Sequence, residues 1–122
     1  MLIATGGMPR RAGVPGGELA ITSDEIFDLP AFPRRLLVVG GGYIGCEMAS
    51  IFHGLGAQVT LVYRGEQILR GFDDEVRHFI AAQMRQAGVD VLTQCDVARI
   101  SALAEGARQA AKIGRASCRE RV

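Results

Sequence analysis

From Leu36 onward the apolar positions fall into a repeating alternation of strand-like and helix-like patterns. Leu36-Leu37-Val38-Val39 is an unbroken apolar run stopped by Gly40-Gly41-Gly42, the pattern of a strand covered on both faces. Ile44, Met48, Ile51, Phe52 and Leu55 then recur at helical spacing and predict the buried stripe of an α-helix. Gly56 stands where a left-handed C-terminal cap is wanted. Val59, Leu61 and Val62 predict a second strand over residues 58–62. Asp73-Asp74-Glu75 provide the acidic start favoured by the helix dipole. Val76, Phe79, Ile80, Met84 and Ala87 predict a second helical stripe closed by Gly88, and residues 89–92 a third short strand. The order β-α-β-α-β predicts an α/β fold with a parallel sheet.

The flanks read differently. Leu2-Ile3-Ala4 reads as the end of a strand, stopped by Thr5-Gly6-Gly7-Met8-Pro9. A strand met in mid-course at residue 2 implies a piece of a longer protein. Residues 10–33 are rich in turn signals, among them Val14-Pro15-Gly16-Gly17, Leu29-Pro30 and Phe32-Pro33. Ser23 or Asp24 is placed to cap a short helix over residues 25–29, which Pro30 would end. After Ile100 the pattern fades: residues 101–111 are alanine-rich without a stripe, and residues 113–122 have neither periodicity nor turn logic. The chain therefore divides into a domain end and connector (1–33), an incomplete α/β domain (34–104) and a tail of non-native character (105–122).

Composition narrows the class without naming it. The chain has 122 residues, 48% hydrophobic and 22% charged, with a formal net charge of +1. Its 16 glycines are about twice the usual share, and they cluster at 6–7, 13–17 and 40–45 rather than spreading. Residues 112–122 carry four cations against one acid, so the rest is mildly acidic. That balance offers no footprint for nucleic acid or a membrane surface. No apolar run reaches the span of about 20 residues that a membrane helix needs, and no secretory leader opens the chain. Cys46, Cys95 and Cys118 are odd in number and far apart, which supports neither a disulfide framework nor a zinc site. A cytoplasmic setting follows as the default.

The glycine cluster at the first strand carries the chemistry. Gly40-Gly41-Gly42-Tyr43-Ile44-Gly45 fits G-x-G-x-x-G. It follows a predicted strand, opens a predicted helix and lies in a βαβ unit of about 30 residues, the context in which this motif binds a dinucleotide. Gly40 allows the tight turn, Gly42 the approach of backbone to a pyrophosphate, and Gly45 close packing of helix on sheet. No Ser, Thr, Asp or Asn caps the helix, so its first amides call for an anion. The expectation is a Rossmann-type βαβαβ unit.

The residue at the end of the second strand selects the nucleotide. An NAD site, or the adenosine site of FAD, places an acid there to accept from ribose hydroxyls. Here the position holds Tyr63, followed by Arg64, with Arg70 six residues further on. Guanidinium forks suit a 2′-phosphate, which an acid would repel. NADPH is the expected cofactor. Glu66 lies between the two arginines, and its pairing with one of them is the plainer alternative.

Together these residues resemble the flavin-dependent disulfide reductases that carry two dinucleotide-binding domains, the glutathione-reducing members most closely. The match runs from about Leu2 to Leu92. It rests on Ile3-Ala4-Thr5-Gly6-Gly7-x-Pro9, Pro15-Gly16, Ile21-Thr22-Ser23-Asp24, the glycine motif extended to Glu47, Tyr63-Arg64, and Ile68-Leu69-Arg70-x-Phe72-Asp73. The resemblance implies that Thr5 and Gly6 close an FAD domain and that the glycine motif, with Ile44, opens an inserted NADPH domain. It implies that Tyr43 covers the flavin until NADPH displaces it, that Glu47 orients the nicotinamide, and that Arg64 and Arg70 grip the 2′-phosphate. The implied cofactors of the whole protein are NADPH and FAD. The implied substrate is glutathione disulfide, and the implied assembly a homodimer formed through a domain absent here.

Two features set limits on that reading. The redox-active C-x4-C of such reductases is missing, and so is their His-Glu acid–base pair, so the chain alone is expected to bind cofactor without reducing a disulfide. Relatives acting on mercuric ion, trypanothione or dihydrolipoamide share the scaffold. A non-catalytic nucleotide-sensing module is the alternative of another class. A glycine motif that itself binds FAD is disfavoured by Tyr63 and by the upstream Ala4-Thr5-Gly6-Gly7.

Overall fold

The computed structural model describes residues 1–102 and the backbone of Arg108–Gly114. Strands β1 (Arg35–Val39), β2 (Gln58–Tyr63) and β3 (Asp90–Thr93) form a parallel sheet in the order β1-β2-β3. Helices α1 (Tyr43–Gly54) and α2 (Asp74–Ala87) make the two crossovers. Register runs Arg35 opposite Gln58 to Val39 opposite Val62, and Thr60 opposite Asp90 to Tyr63 opposite Thr93. The predicted Rossmann-type unit is present.

Both helices end as their glycines predict. Gly56 has φ +101°, its N–H donates to His53 O (2.9 Å), and Ala57 N–H donates to Phe52 O (2.9 Å). Gly88 repeats the pair at α2, with φ +111° and bonds from Gly88 to Arg85 and from Val89 to Met84. This left-handed closure favours glycine because a Cβ is strained there. Asp73 caps α2, its carboxylate accepting from the N–H groups of Glu75 (3.0 Å) and Val76 (3.3 Å).

The faces that the helices bury match the predicted stripes only in part. In α1 the core takes Cys46, Ala49 and Phe52, while Ile44, Ile51 and Leu55 are exposed. Phe52 and the half-buried Met48 of the predicted stripe do pack with the core, beside the small Cys46 and Ala49. In α2 the core takes Ala81 and Met84, with Val76 and Phe79 exposed. Strand β2, flanked on both sides, buries Val59, Leu61 and Val62 completely. β1 is only half-buried, against the expectation of a doubly covered strand, because it lies at the edge of the described sheet.

A fourth strand, β4 (Cys95–Ala102), follows a turn at Gln94 (φ +53°) and pairs antiparallel with β5 (Arg108–Gly114). Sequence reading did not foresee it. A register shift between Val97 and Arg99 breaks the alternation, so the buried positions run Cys95, Val97, Ile100. The described part of the predicted tail, Arg108–Gly114, supplies β5; residues 103–107 and 115–122 lie outside the described residues.

The predicted strand at Leu2–Ala4 does not form, and Leu2 and Ile3 are exposed. A strand needs a neighbour for its amide and carbonyl groups, and none among the described residues pairs there. The predicted short helix over 25–29 is one 3-10 turn, Ile26–Asp28, and neither Ser23 nor Asp24 caps it. Thr22 organises the turn instead. Its N–H donates to the Glu25 carboxylate (2.7 Å), and its hydroxyl accepts from Asp24 N–H (3.4 Å). Arg11 pairs with the same carboxylate at 2.5 Å. Further along the connector, Ile100 N–H donates to Pro15 O (2.9 Å), and Val14, Leu19 and Ala20 pack on Val97 and Ile100.

Candidate functional site

The glycine turn lies at the carboxyl end of β1, where ligands of open parallel sheets bind. Gly40 has φ +124°, a conformation that side chains rarely adopt, and its N–H donates to Val62 O (2.9 Å). A Cβ on Gly45 would lie 2.4 Å from Gly40 O and 3.6 Å from a Val38 methyl, so close helix–strand contact requires glycine there. Gly42 is different: a Cβ built on it meets nothing within 4 Å. The space before the helix is open.

That space faces unsatisfied donors. The first backbone bond into α1 is Cys46 N–H to Gly42 O (3.0 Å), and Gly42 supplies no side-chain cap. The N–H groups of Tyr43, Ile44 and Gly45 therefore have no intrahelical acceptor. They and the positive end of the helix dipole fit an anion such as a pyrophosphate. Tyr43, more than half exposed, and Glu47 lie one turn apart on the same face of α1.

Gly41, an unconstrained position in the motif, is constrained here. A Cβ on it would lie 2.6 Å from the Tyr63 ring, and one on Gly65 would meet the same ring at 2.6 Å. Tyr63, which stands where an acid would serve NAD, thus lies against both glycine segments. The loop that follows is anchored at three points. Gln94 N–H donates to Gly65 O (2.9 Å), Leu69 N–H donates to Gly41 O (2.6 Å), and the Arg77 guanidinium donates to the carbonyls of Gln67 and Ile68, each at 2.9 Å. Ile68 is fully buried, and Leu69 is buried with φ +57°. A non-glycine residue held in that region costs about 1–3 kcal/mol, so the surroundings must over-determine it.

Arg64 and Arg70 project from this loop and are both exposed. Among the described residues neither takes part in an ion pair, and Glu66 pairs with neither. The anchored loop also brings Arg64 and Arg70 to the side of the glycine turn that carries β2 and β3. On the β1 side a cavity of about 850 Å³ opens, lined by residues including Val39, Gly42, Ile44 and Met48 and by none from the arginine loop. Thr5 and Gly6 are exposed, and a Cβ built on Gly6 (φ +68°) meets nothing within 4 Å. Burial pushes the Cys46 thiol up, which suits a core residue rather than a nucleophile.

Sequence reasoning missed Gly41, Leu69 and Arg77. Leu69 and Arg77 act through tertiary contacts that no local signal marks. For Gly41 the one available signal was the run of three glycines where the motif requires only two.

A glycine turn between a parallel strand and an uncapped helix, with an arginine-bearing loop after the next strand, defines a dinucleotide-binding-type α/β unit. The chain belongs to the pyridine nucleotide-disulphide oxidoreductase family, whose model matches residues 1–116. It is 48% identical over 100 residues to a glutathione reductase of Burkholderia cepacia, covering 82% of this chain and 22% of that protein. It is 49% identical over 109 residues to a trypanothione reductase of Leishmania donovani, covering 87% of this chain and 22% of that protein. Among solved structures it resembles the HOCl-induced flavoprotein disulfide reductase RclA of Escherichia coli in its Cu(II) complex. That match has a TM-score of 0.75 and 31% identity, over 87% of this chain and 27% of that one. The chain thus spans about a fifth of the length of the curated relatives it matches.

Proposed function

We propose that this chain is the NADPH-binding segment of a flavin-dependent disulfide reductase whose whole length reduces glutathione disulfide. The observation that carries the reading is the union of two anion-ready elements in one rigid unit. The bare amides of Tyr43, Ile44 and Gly45 receive the pyrophosphate. Arg64 and Arg70, on a loop tied to Gly41 through Leu69, receive the 2′-phosphate. Since that loop follows β2, the adenosine half lies toward β2 and β3. The nicotinamide half then extends toward the β1 side, past Tyr43 and Glu47.

NADPH held by these residues would supply hydride chemistry for a flavin. The described residues hold the nucleotide and orient it; Thr5 and Gly6 are the part of this chain assigned to the FAD side. The rest of the flavin site, the disulfide-reducing residues and the contacts of a homodimer belong to other parts of the whole protein. Residues 34–104 form the nucleotide-binding portion and 1–33 the approach to it.

Amide and arginine NMR signals test the site. On titration, the N–H resonances of Tyr43, Ile44 and Gly45 move with NADPH and with NADH, whereas the guanidinium signals of Arg64 and Arg70 move with NADPH alone. Arginine signals that respond equally to both nucleotides, or to neither, would remove the 2′-phosphate assignment. The substrate is tested on the whole protein, where NADPH oxidation proceeds faster with glutathione disulfide than with trypanothione disulfide. The reverse order would assign it the substrate named for the Leishmania relative.

A further inference from the structure

Arg77 stands in the first turn of α2 and reaches back into the loop before the helix. Its Nε donates to Ile68 O (2.9 Å), its Nη2 to Gln67 O (2.9 Å) and its Nη1 to the Asp74 carboxylate (2.8 Å). The side chain is only 20% exposed. With its fork occupied by protein acceptors, Arg77 is a structural cation rather than a ligand of the nucleotide. What it holds is the stretch between Arg64 and Arg70. Gln67 Oε1 also accepts from Ile68 N–H (3.1 Å), Ile68 is fully buried, and Leu69 is locked in its left-handed conformation against Gly41.

We propose that Arg77 is the positioning residue of the 2′-phosphate site. It fixes the loop from α2 and so sets the separation of Arg64 and Arg70 without touching the phosphate. This inference rests on the NADPH reading above. The physical reason is preorganisation. Two exposed arginines on a loose loop must be ordered by the ligand, and that cost is subtracted from binding. A loop ordered in advance by a guanidinium fork, two successive carbonyls and a buried isoleucine avoids it. Lysine cannot substitute fully, since a single ammonium lacks the planar fork that spans both carbonyls and the carboxylate.

A structural role alone makes a different prediction. If Arg77 only secured α2, its loss would weaken NADPH and NADH alike, because both nucleotides use the same glycine turn. Calorimetric titration of the full chain with each nucleotide separates the cases. In the wild-type chain NADPH binds at least about tenfold more tightly than NADH, since hydrogen bonds to charged groups contribute about 1.5–3 kcal/mol each. Arg77→Met weakens NADPH by about five- to tenfold while NADH stays within about twofold, and Arg77→Lys falls between. Arg85→Met, which removes a guanidinium-to-carbonyl bond (3.2 Å, to Val91 O) at the far end of α2, changes neither affinity.

Equal weakening of both nucleotides by Arg77→Met, or no weakening, overturns the positioning role while the NADPH reading stands on the wild-type preference. A wild-type chain without that preference overturns the NADPH reading and the positioning role with it. Should Arg77→Met fail to fold, Arg77→Lys decides: an undiminished preference for NADPH overturns the proposal.

Discussion

The backbone N–H of Leu69 donates to the carbonyl of Gly41 across 2.6 Å, joining the loop after β2 to the glycine turn after β1. Without this bond the two segments would be separate surface features. With it, the amides proposed to receive a pyrophosphate and the arginines proposed to receive a 2′-phosphate share one frame. The left-handed backbone of Leu69 (φ +57°) and the closeness of Tyr63 to Gly41 accompany that junction.

The glycines of the turn separate by experiment into those that shape the fold and the one proposed to admit the ligand. Gly45→Ala places a methyl 2.4 Å from Gly40 O. Displacing α1 costs about 1–3 kcal/mol, less the gain of up to about 1 kcal/mol that alanine brings inside a helix. Gly42→Ala meets no atom within 4 Å and has an ordinary φ of −76°. Its stability stays within about 0.5 kcal/mol of wild type, while nucleotide affinity falls. Denaturant unfolding and NADPH titration of both variants check the contrast.

Ile68 is a core residue in a loop. Ile68→Ala leaves a void beneath the arginine loop and destabilises the domain by about 2–5 kcal/mol, which urea unfolding monitored by circular dichroism measures. A loss below about 1 kcal/mol would mean that the loop is not anchored by burial.

How much of this was legible follows from the range of each interaction. β1 to β3, the glycine-closed helix ends and the fingerprint are local patterns, and all were read from sequence. The helix faces were read in part: Phe52, Met84, Met48 and Ile80 of the stripes pack in or on the core, but small Cys46 and Ala49 are buried where an apolar stripe weights the larger Ile44, Ile51 and Leu55. β4 was hidden by the shift between Val97 and Arg99, which sets Ile100 three residues after Val97. Arg64 and Arg70 were picked out by residue type and spacing. The anchoring of their loop through Leu69 and Arg77 depends on contacts across the fold and left no local trace.

Glu25 gives the turn at Thr22 a pH dependence. The Thr22 N–H first, and then the Arg11 guanidinium, hold its carboxyl below the ordinary glutamate range. A folded-state pKa below the unfolded value means that this contribution is present in full above the unfolded pKa. It is lost as pH falls through the folded one. Hydrogen exchange at the Thr22 amide, corrected for its intrinsic pH dependence, accelerates on acidification in the wild type and not in Glu25→Gln.

Cys46 is predicted to be silent. Burial raises its thiol pKa, so the thiolate is scarce near neutrality and access is blocked. Mass mapping after iodoacetamide treatment at neutral pH finds it unmodified in the folded chain and alkylated in urea; rapid labelling of the folded chain would contradict its place in the core.

The proposed selectivity for NADPH rests on Arg64 and Arg70. Its most direct test is calorimetric titration of the chain with NADPH and NADH, beside an Arg64→Ala/Arg70→Ala double variant. At least about a tenfold preference for NADPH is expected in the wild type. The double variant should lose most of that preference and keep its NADH affinity. Equal affinity of the wild-type chain for the two nucleotides, or a preference that survives removal of both arginines, would contradict it.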